Sequence, residues 1–332
     1  MINFLLIISI LTWPFGQLLQ LTPLGTSLHL QLLDLISALL FLSLFVSSRE
    51  KIAQDPLFKP LVIFSIVALL SRGDPAYLLR FISYTAFYFA FRIEGVKKYY
   101  RYLVFPAMLF LTIGFLQYFL LPDTRFLTYL GFDDHYFRLI GSLLDPNFTG
   151  LVLVIFTLLA PKLFFLLPLL ALALTFSRAS FLALAVSLLY LCVVKKQFKL
   201  LFLIVILGAL LYFVPKPFGE GVNLLRTFSI VSRFENQKQA LAIFAQNPIL
   251  GVGFGSQKID NSFIFVLATT GLAGFLTFLA FLKKAWRQTA DPLAQAAFLA
   301  ILVHSLFNNS FFYTPILALF FLLLNFRSSR SA

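Results

Sequence analysis

Leu151-Val-Leu-Val-Ile-Phe-Thr-Leu-Leu-Ala160 and Leu200-Leu-Phe-Leu-Ile-Val-Ile-Leu-Gly-Ala-Leu-Leu211 are apolar on every side. A strand of a membrane barrel would alternate apolar and polar residues at every second position, and neither stretch does. Hydrocarbon offers backbone amides no partner, so a membrane span is a helix or a closed barrel. These two stretches therefore read as helices. The rest of the chain has the same texture: of 332 residues 60% are apolar and 12% charged, with a mean hydropathy of +0.94. A soluble domain carries roughly 25% charged residues. Here the charges sit in short clusters between apolar runs of the length a spanning helix needs, about 20 residues. The expected fold is all-α and integral to the membrane, one polytopic domain over residues 1–332.

Breakers between the apolar runs give about 12 transmembrane helices, at 3–21, 28–46, 57–71, 76–92, 100–121, 146–160, 162–176, 179–194, 199–215, 259–282, 293–309 and 311–326. Pro14 interrupts the first, and the pair meeting at Pro161–Lys162 is tight. No Lys or Arg precedes Arg49, and a cleavable signal peptide needs a basic start and a small-residue cleavage site, so the first stretch is expected to be retained as a span. Cys192 is the single cysteine, which excludes an internal disulfide and a cysteine-based metal cluster.

The net charge of +13 reads as membrane sidedness and not as a nucleic-acid footprint. With twelve spans, one set of alternate short loops holds Arg49, Lys51, Lys59, Arg92, Lys97, Lys98, Arg101, Lys162, Lys195, Lys196, Lys199, Lys283, Lys284 and Arg287, and the C-terminal tail adds Arg327 and Arg330. The positive-inside rule makes that side cytoplasmic, with both termini on it. The longest loops, 122–145 and 216–258, then face outward. The loop 216–258, between spans 9 and 10, is the one extramembrane piece large enough for structure of its own. Apolar residues at 230, 231, 234, 241 and 244 predict a short amphipathic helix over Phe228–Ala245 that lies along the outer interface and covers the site. Arg233 and Lys238 fall on its polar side.

Seven arginines occupy the side that ought to avoid them: Arg72, Arg80, Arg125, Arg138, Arg178, Arg226 and Arg233. For Arg80, snorkelling to the headgroups and a functional role weigh equally. Several guanidiniums converging on one face imply an anion, because their forks match phosphate oxygens. A phosphorylated substrate at the outer leaflet is the natural inference.

Three segments carry a resemblance. Arg138-Leu-Ile-Gly-Ser-Leu-Leu-Asp145-Pro146-Asn147 leads into one span, and Thr175-Phe-Ser177-Arg178-Ala-Ser180 turns between two. The third runs from Arg233 through Asn247-Pro248-Ile-Leu-Gly251-Val-Gly253-Phe-Gly255 and Asp260-Asn261-Ser262 to Gly271-Leu-Ala-Gly274. In order and spacing they resemble the O-antigen ligase and O-antigen polymerase family of bacterial polysaccharide assembly, over about residues 138–282. Where the ligase-type pattern has histidine, associated with acceptor activation, this chain has Asp260.

The resemblance implies a glycosyltransferase in the bacterial inner membrane. Its donor would be a polyprenyl-diphosphate-linked oligosaccharide presented from outside, and its acceptor a glycan or a lipid core. Membrane lipids would be the other partners, with no nucleic acid. Arg178 and Arg233 are the expected diphosphate clamps, with Arg138 third, and no cofactor or metal is called for. Asp260 is the candidate acceptor-activating base, with Asn261 orienting it. It could equally pair with Arg178 or Arg233, which would weaken it as a base. Its replacement of histidine favours a polymerase over a ligase. Asp145 and Asn147 are supporting residues, since Asp-Pro-Asn is also helix-start chemistry.

Other features read more plainly. His304 fits a hydrogen-bonded core histidine better than a base, and Asp133-Asp134-His135 fits a solvated turn better than a metal site. The Gly251–Gly255 run lacks the Lys-Ser/Thr of a phosphate loop, so it reads as flexible backbone where a helix re-enters the membrane. Gly271 and Gly274 read as small residues permitting close helix packing. The many phenylalanines read mostly as lipid-facing bulk. Two readings from other classes remain beside the enzyme. One is a small-solute transporter, since inorganic-carbon uptake has been attached to relatives of the family, and the other is a non-catalytic member of a polysaccharide assembly complex.

Overall fold

The computed structural model describes residues 1–21, 30–160, 162–214 and 220–326. The chain is helical: α1 (Ile2–Thr12, continued by a 3-10 stretch to Leu19), α2 (Leu32–Ala53), α3 (Phe58–Leu70), α4 (Pro75–Glu94), α5 (Tyr100–Leu120), α6 (Pro146–Leu159), α7 (Leu166–Thr175), α8 (Arg178–Lys195), α9 (Phe202–Phe213), α10 (Phe228–Gln246), α11 (Ser262–Gln288), α12 (Pro292–His304) and α13 (Thr314–Leu323). Among the described residues the only strands are Gln20–Leu21 and Leu30–Gln31, two antiparallel residues each.

Each stretch expected to span carries a helix, and α10 is the one expected in the long loop. Five helical stretches are long and apolar enough to cross a membrane: Ile2–Leu19, Leu32–Ala53, Tyr102–Leu120, Arg178–Lys195 and Ser262–Gln288. Six further apolar helices are shorter, at 10–17 residues. Of the residues used above to assign sides, Arg327 and Arg330 lie outside the described residues, as do Pro161 and 215–219.

Three helices start with the same chemistry. Asp74, Asp145 and Asp291 each cap a helix whose first residue is proline, and each carboxylate accepts from the backbone amides just inside. The proline has no amide to leave unsatisfied, and a cap of this kind contributes about 1 kcal/mol. In the interior α12 packs on α8 and α6, α6 on α7, α4 on α2 and α13, and α11 on α3. Helix α4 is largely buried by its neighbours. Arg80 on it donates to Asp34 of α2 at 2.9 Å, and Tyr84 donates to the other oxygen of the same carboxylate at 2.9 Å. Arg80 is thus a helix-pairing residue, neither a snorkel nor part of an anion site.

A subset of the phenylalanines builds much of the core. Phe64, Phe81, Phe254, Phe265, Phe278 and Phe312 are buried and packed ring against ring. Phe254 comes from the glycine run, so that run is anchored in the bundle. Its neighbour is a break in α11: Gly271 has φ +64°, which no helix interior adopts. The backbone of 248–253 fills the break, with Val252 and Gly253 donating to the carbonyls of Ala268 and Thr269, and Leu272 and Ala273 donating to those of Pro248 and Ile249. A Cβ on Gly271 would lie 2.2 Å from the Ile249 carbonyl, and one on Gly251 2.3 Å from Thr269 backbone. The two glycines exist for this backbone-on-backbone contact. Gly271 therefore does not serve as a small residue between two helices.

Candidate functional site

At the end of the bundle where α6, α8 and α11 begin, three connections are sewn together. The segment 138–141 is fixed first by Gln117 of α5, whose Oε1 accepts from the amides of Ile140 and Gly141 while its Nε2 donates to the Arg138 carbonyl. Leu139 donates to the Leu174 carbonyl at the end of α7. The α7–α8 turn passes through Phe176 at φ 48° and Ser177, which caps α8. Ser177 also donates from Oγ to Asn147 Oδ1 at 3.0 Å, and Ser180 Oγ donates to the Asn147 carbonyl at 3.2 Å. Asn147 thus holds the turn that presents Arg178 against the start of α6.

Four of the seven arginines converge here. Arg138 is 5% exposed and donates from Nε to the Thr175 carbonyl at 2.8 Å, while its Nη2 is buried with no hydrogen-bond partner among the described residues. Arg178 donates from Nη1 to the carbonyls of Leu224 and Arg226 at 3.2 and 2.9 Å. Arg226 donates to the carbonyls of Gly221 and Asn223, and through Nη2 to that of Phe176 at 3.2 Å. Arg233 of α10 donates from Nη2 to Asn308 Oδ1 at 3.1 Å. Sequence reasoning had placed Arg226 on this side but assigned it no part in the site, because no motif surrounds it. The other three do not join them. Arg80 pairs with Asp34, Arg125 makes an exposed ion pair with Asp123, and Arg72 lies in the α3–α4 turn.

The electrostatics are those of guanidiniums close enough to disfavour one another's charge. Burial, and then the nearby Arg226, lowers the Arg138 guanidinium to about 9, with Asp145 opposing. It is still charged at neutral pH. Burial followed by Arg178 and Arg233 lowers Arg226 to about 10. Arg233 is lowered by burial, against the pull of Asp260 and Asp145. Like charges held in a poorly solvated place oppose one another until an anion joins them.

The carboxylates are few. Asp145 caps α6 through one oxygen, accepting from the amides of Asn147 and Phe148 at 2.6 and 2.9 Å, and burial raises its pKa. Asp260 is exposed, with its pKa raised by burial of its surroundings and held back by Arg233. Among the described residues no ion pair within 4.0 Å joins it to Arg178 or Arg233, but Arg233 lies near enough to pull its pKa down. Asn261 does not orient it. Its Oδ1 caps α11 and its Nδ2 donates to the Leu306 carbonyl at 2.8 Å. Asp260 is placed instead by its amide, which donates to Asn236 Oδ1 of α10 at 3.0 Å.

The solvated turn expected at Asp133-Asp134-His135 is only half right. Both Asp133 and Asp134 are exposed, but His135 is 9% exposed with its Nε2 unpartnered. The Thr124 amide and hydroxyl both donate to the His135 carbonyl and fold the loop inward. Burial, then Arg138, lowers its pKa to about 4, which keeps the ring neutral. Asp133, His135 and Asp145 bring ligand atoms within 4.8 Å of one another, the one grouping among the described residues that could close round a cation. The guanidiniums beside it repel a cation, so the carboxylates serve as countercharges to arginine. The chemistry the arrangement offers is anion binding, with an accessible carboxylate at its edge.

Residues 163–279 match the family model described as O-antigen ligase, a segment that contains Arg178, Arg226, Arg233 and Asp260. Over this segment the chain is O-antigen ligase/polymerase-like. No curated protein matches it. The apolar helices, five of them long enough to cross a membrane, agree with a membrane protein similar to that family.

Proposed function

We propose that the protein is a glycosyltransferase that extends a glycan from a polyprenyl-diphosphate-linked donor at the outer face of the inner membrane. The observation that carries this reading is Arg138 Nη2, a buried donor without an acceptor among the described residues, amid three further arginines. A buried unpaired donor costs about 1–3 kcal/mol, and a diphosphate oxygen is the acceptor that would satisfy it and offset the mutual repulsion of the four cations.

The acceptor hydroxyl attacks the anomeric carbon, forming one C–O bond as the C–O bond to diphosphate breaks. The electron pair leaves with the diphosphate, and the hydroxyl proton passes to Asp260. Charge on the leaving group grows as the bond breaks, so arginines already in place stabilise the transition state more than the ground state. They supply the neutralisation that a metal provides elsewhere, and the reaction is proposed to be metal-independent. The apolar flank of α10, with Ile230, Phe234 and Leu241 exposed, supports a helix lying in the outer leaflet beside the site.

Asp260 in place of histidine favours the polymerase, whereas the description of the matching family favours a ligase as the second reading. Gene deletion followed by gel analysis of surface and lipid-linked glycans separates them. Single repeat units on the acceptor are expected. Full-length polymer stranded on the lipid carrier would support the ligase, and unchanged glycans with a solute-uptake defect would sink both.

A further inference from the structure

Arg233 stands on α10, and the side chain that accepts from its guanidinium comes from far along the chain. Asn308 Oδ1 accepts from Arg233 Nη2 at 3.1 Å. Asn308 is 7% exposed and lies in the turn after α12, its amide donating to the His304 carbonyl at 3.0 Å. Its Nδ2 lies 3.3 Å from His304 Nε2, and His304 Nδ1 lies 2.6 Å from Ser310 Oγ. His304 is fully buried.

The carboxamide faces the Arg233 guanidinium with its oxygen, the atom that can accept from it, and lays its NH2 group against the His304 ring, 3.3 Å from Nε2 and 3.5 Å from Nδ1. The same turn holds the start of α11: Ser262 donates from its amide to the Ser305 carbonyl at 2.9 Å, and Asn261 donates to that of Leu306 at 2.8 Å. One turn, 304–311, therefore braces both the arginine on α10 and the strand of chain that carries Asp260.

We infer that Asn308, held against the buried His304 ring, is a positioning residue for Arg233. It holds the guanidinium at the depth where a diphosphate meets it. This rests on reading Arg233 as a diphosphate-binding group. A carboxamide can accept from the guanidinium at one end while its NH2 group lies against the imidazole at the other. Aspartate at 308 would keep the bond to the guanidinium and lose the NH2 contact with the ring.

The test is a double-mutant cycle on full-length protein in nanodiscs, measuring inorganic pyrophosphate affinity and kcat/KM for transfer from a lipid-linked donor. Arg233→Ala is expected to lower both, and a hydrogen bond to a charged group implies roughly ten- to hundredfold for Asn308→Ala. In the Arg233→Ala background, Asn308→Ala should then change neither by more than about twofold. Asn308→Asp should recover part of the pyrophosphate affinity lost in Asn308→Ala. If the two substitutions multiply fully while Arg233→Ala is itself damaging, Asn308 acts on the fold and the inference is overturned. If Arg233→Ala leaves pyrophosphate affinity and transfer unchanged, the diphosphate reading of Arg233 fails instead.

Discussion

Asp260 sits exposed at the edge of the arginine cluster, its carboxyl raised by burial and restrained by Arg233. A general base works when deprotonated. Activity should therefore be present at neutral pH and fall as pH drops through a value above the ordinary carboxylate range of about 4. Asp260→Asn should abolish that limb together with most of the rate, and Asp260→His should restore a base and move the limb up toward about 6.5. A pH–rate profile of the histidine variant that overlays wild type would show that another group titrates. The residues of this site were unevenly legible. Arg138, Arg178 and Arg233 stood out because arginine on that side needs a reason. Asp145 and Asn147 were legible as helix-start chemistry, and the Asn147 contacts to Ser177 and Ser180 add its reach across to α8. Arg226 has no motif around it. Asn308 lies 75 residues from the arginine it holds, a pairing that no local pattern reveals.

Among the elements, the helices were legible from apolar runs and from Asp-Pro starts, since lipid leaves the backbone no other choice. The break in α11 was not. A glycine in a helical run costs only about 1 kcal/mol and is common, so Gly271 looked like a packing residue. Its positive φ and the inserted backbone of 248–253 appear only once the two segments meet. Gly271→Ala should therefore do more than stiffen a helix: it strains a left-handed position and drives a methyl into the Ile249 carbonyl. A loss of at least about 2 kcal/mol is expected, read as a clear fall in the melting temperature of the detergent-solubilised protein. An unchanged melting temperature would mean that α11 runs straight. The loop helix α10 was placed to within a residue by its apolar spacing, yet its inward face is polar at Arg233 and Asn236, because it clasps the site through side-chain hydrogen bonds.

For the whole molecule, composition alone fixed the solvent in which it folds: an all-α bundle with charge at its ends. What composition could not say is which charges work together. Arg80 and Arg178 look alike in sequence, each close to an apolar run on the same side. One is paired across α2 and α4 with Asp34, and the other is carried by the α7–α8 turn into a cluster of four arginines. The central proposal is that this cluster receives a diphosphate leaving group at one end of the bundle. The most direct measurement uses purified protein in liposomes with a polyprenyl-diphosphate-linked oligosaccharide, following glycan lengthening and release of polyprenyl diphosphate for wild type and Arg178→Lys. The account predicts release coupled to lengthening in wild type, and at least a tenfold slower rate when the planar fork becomes a point charge. Near-normal release by Arg178→Lys, or lengthening without any release of polyprenyl diphosphate, would contradict it.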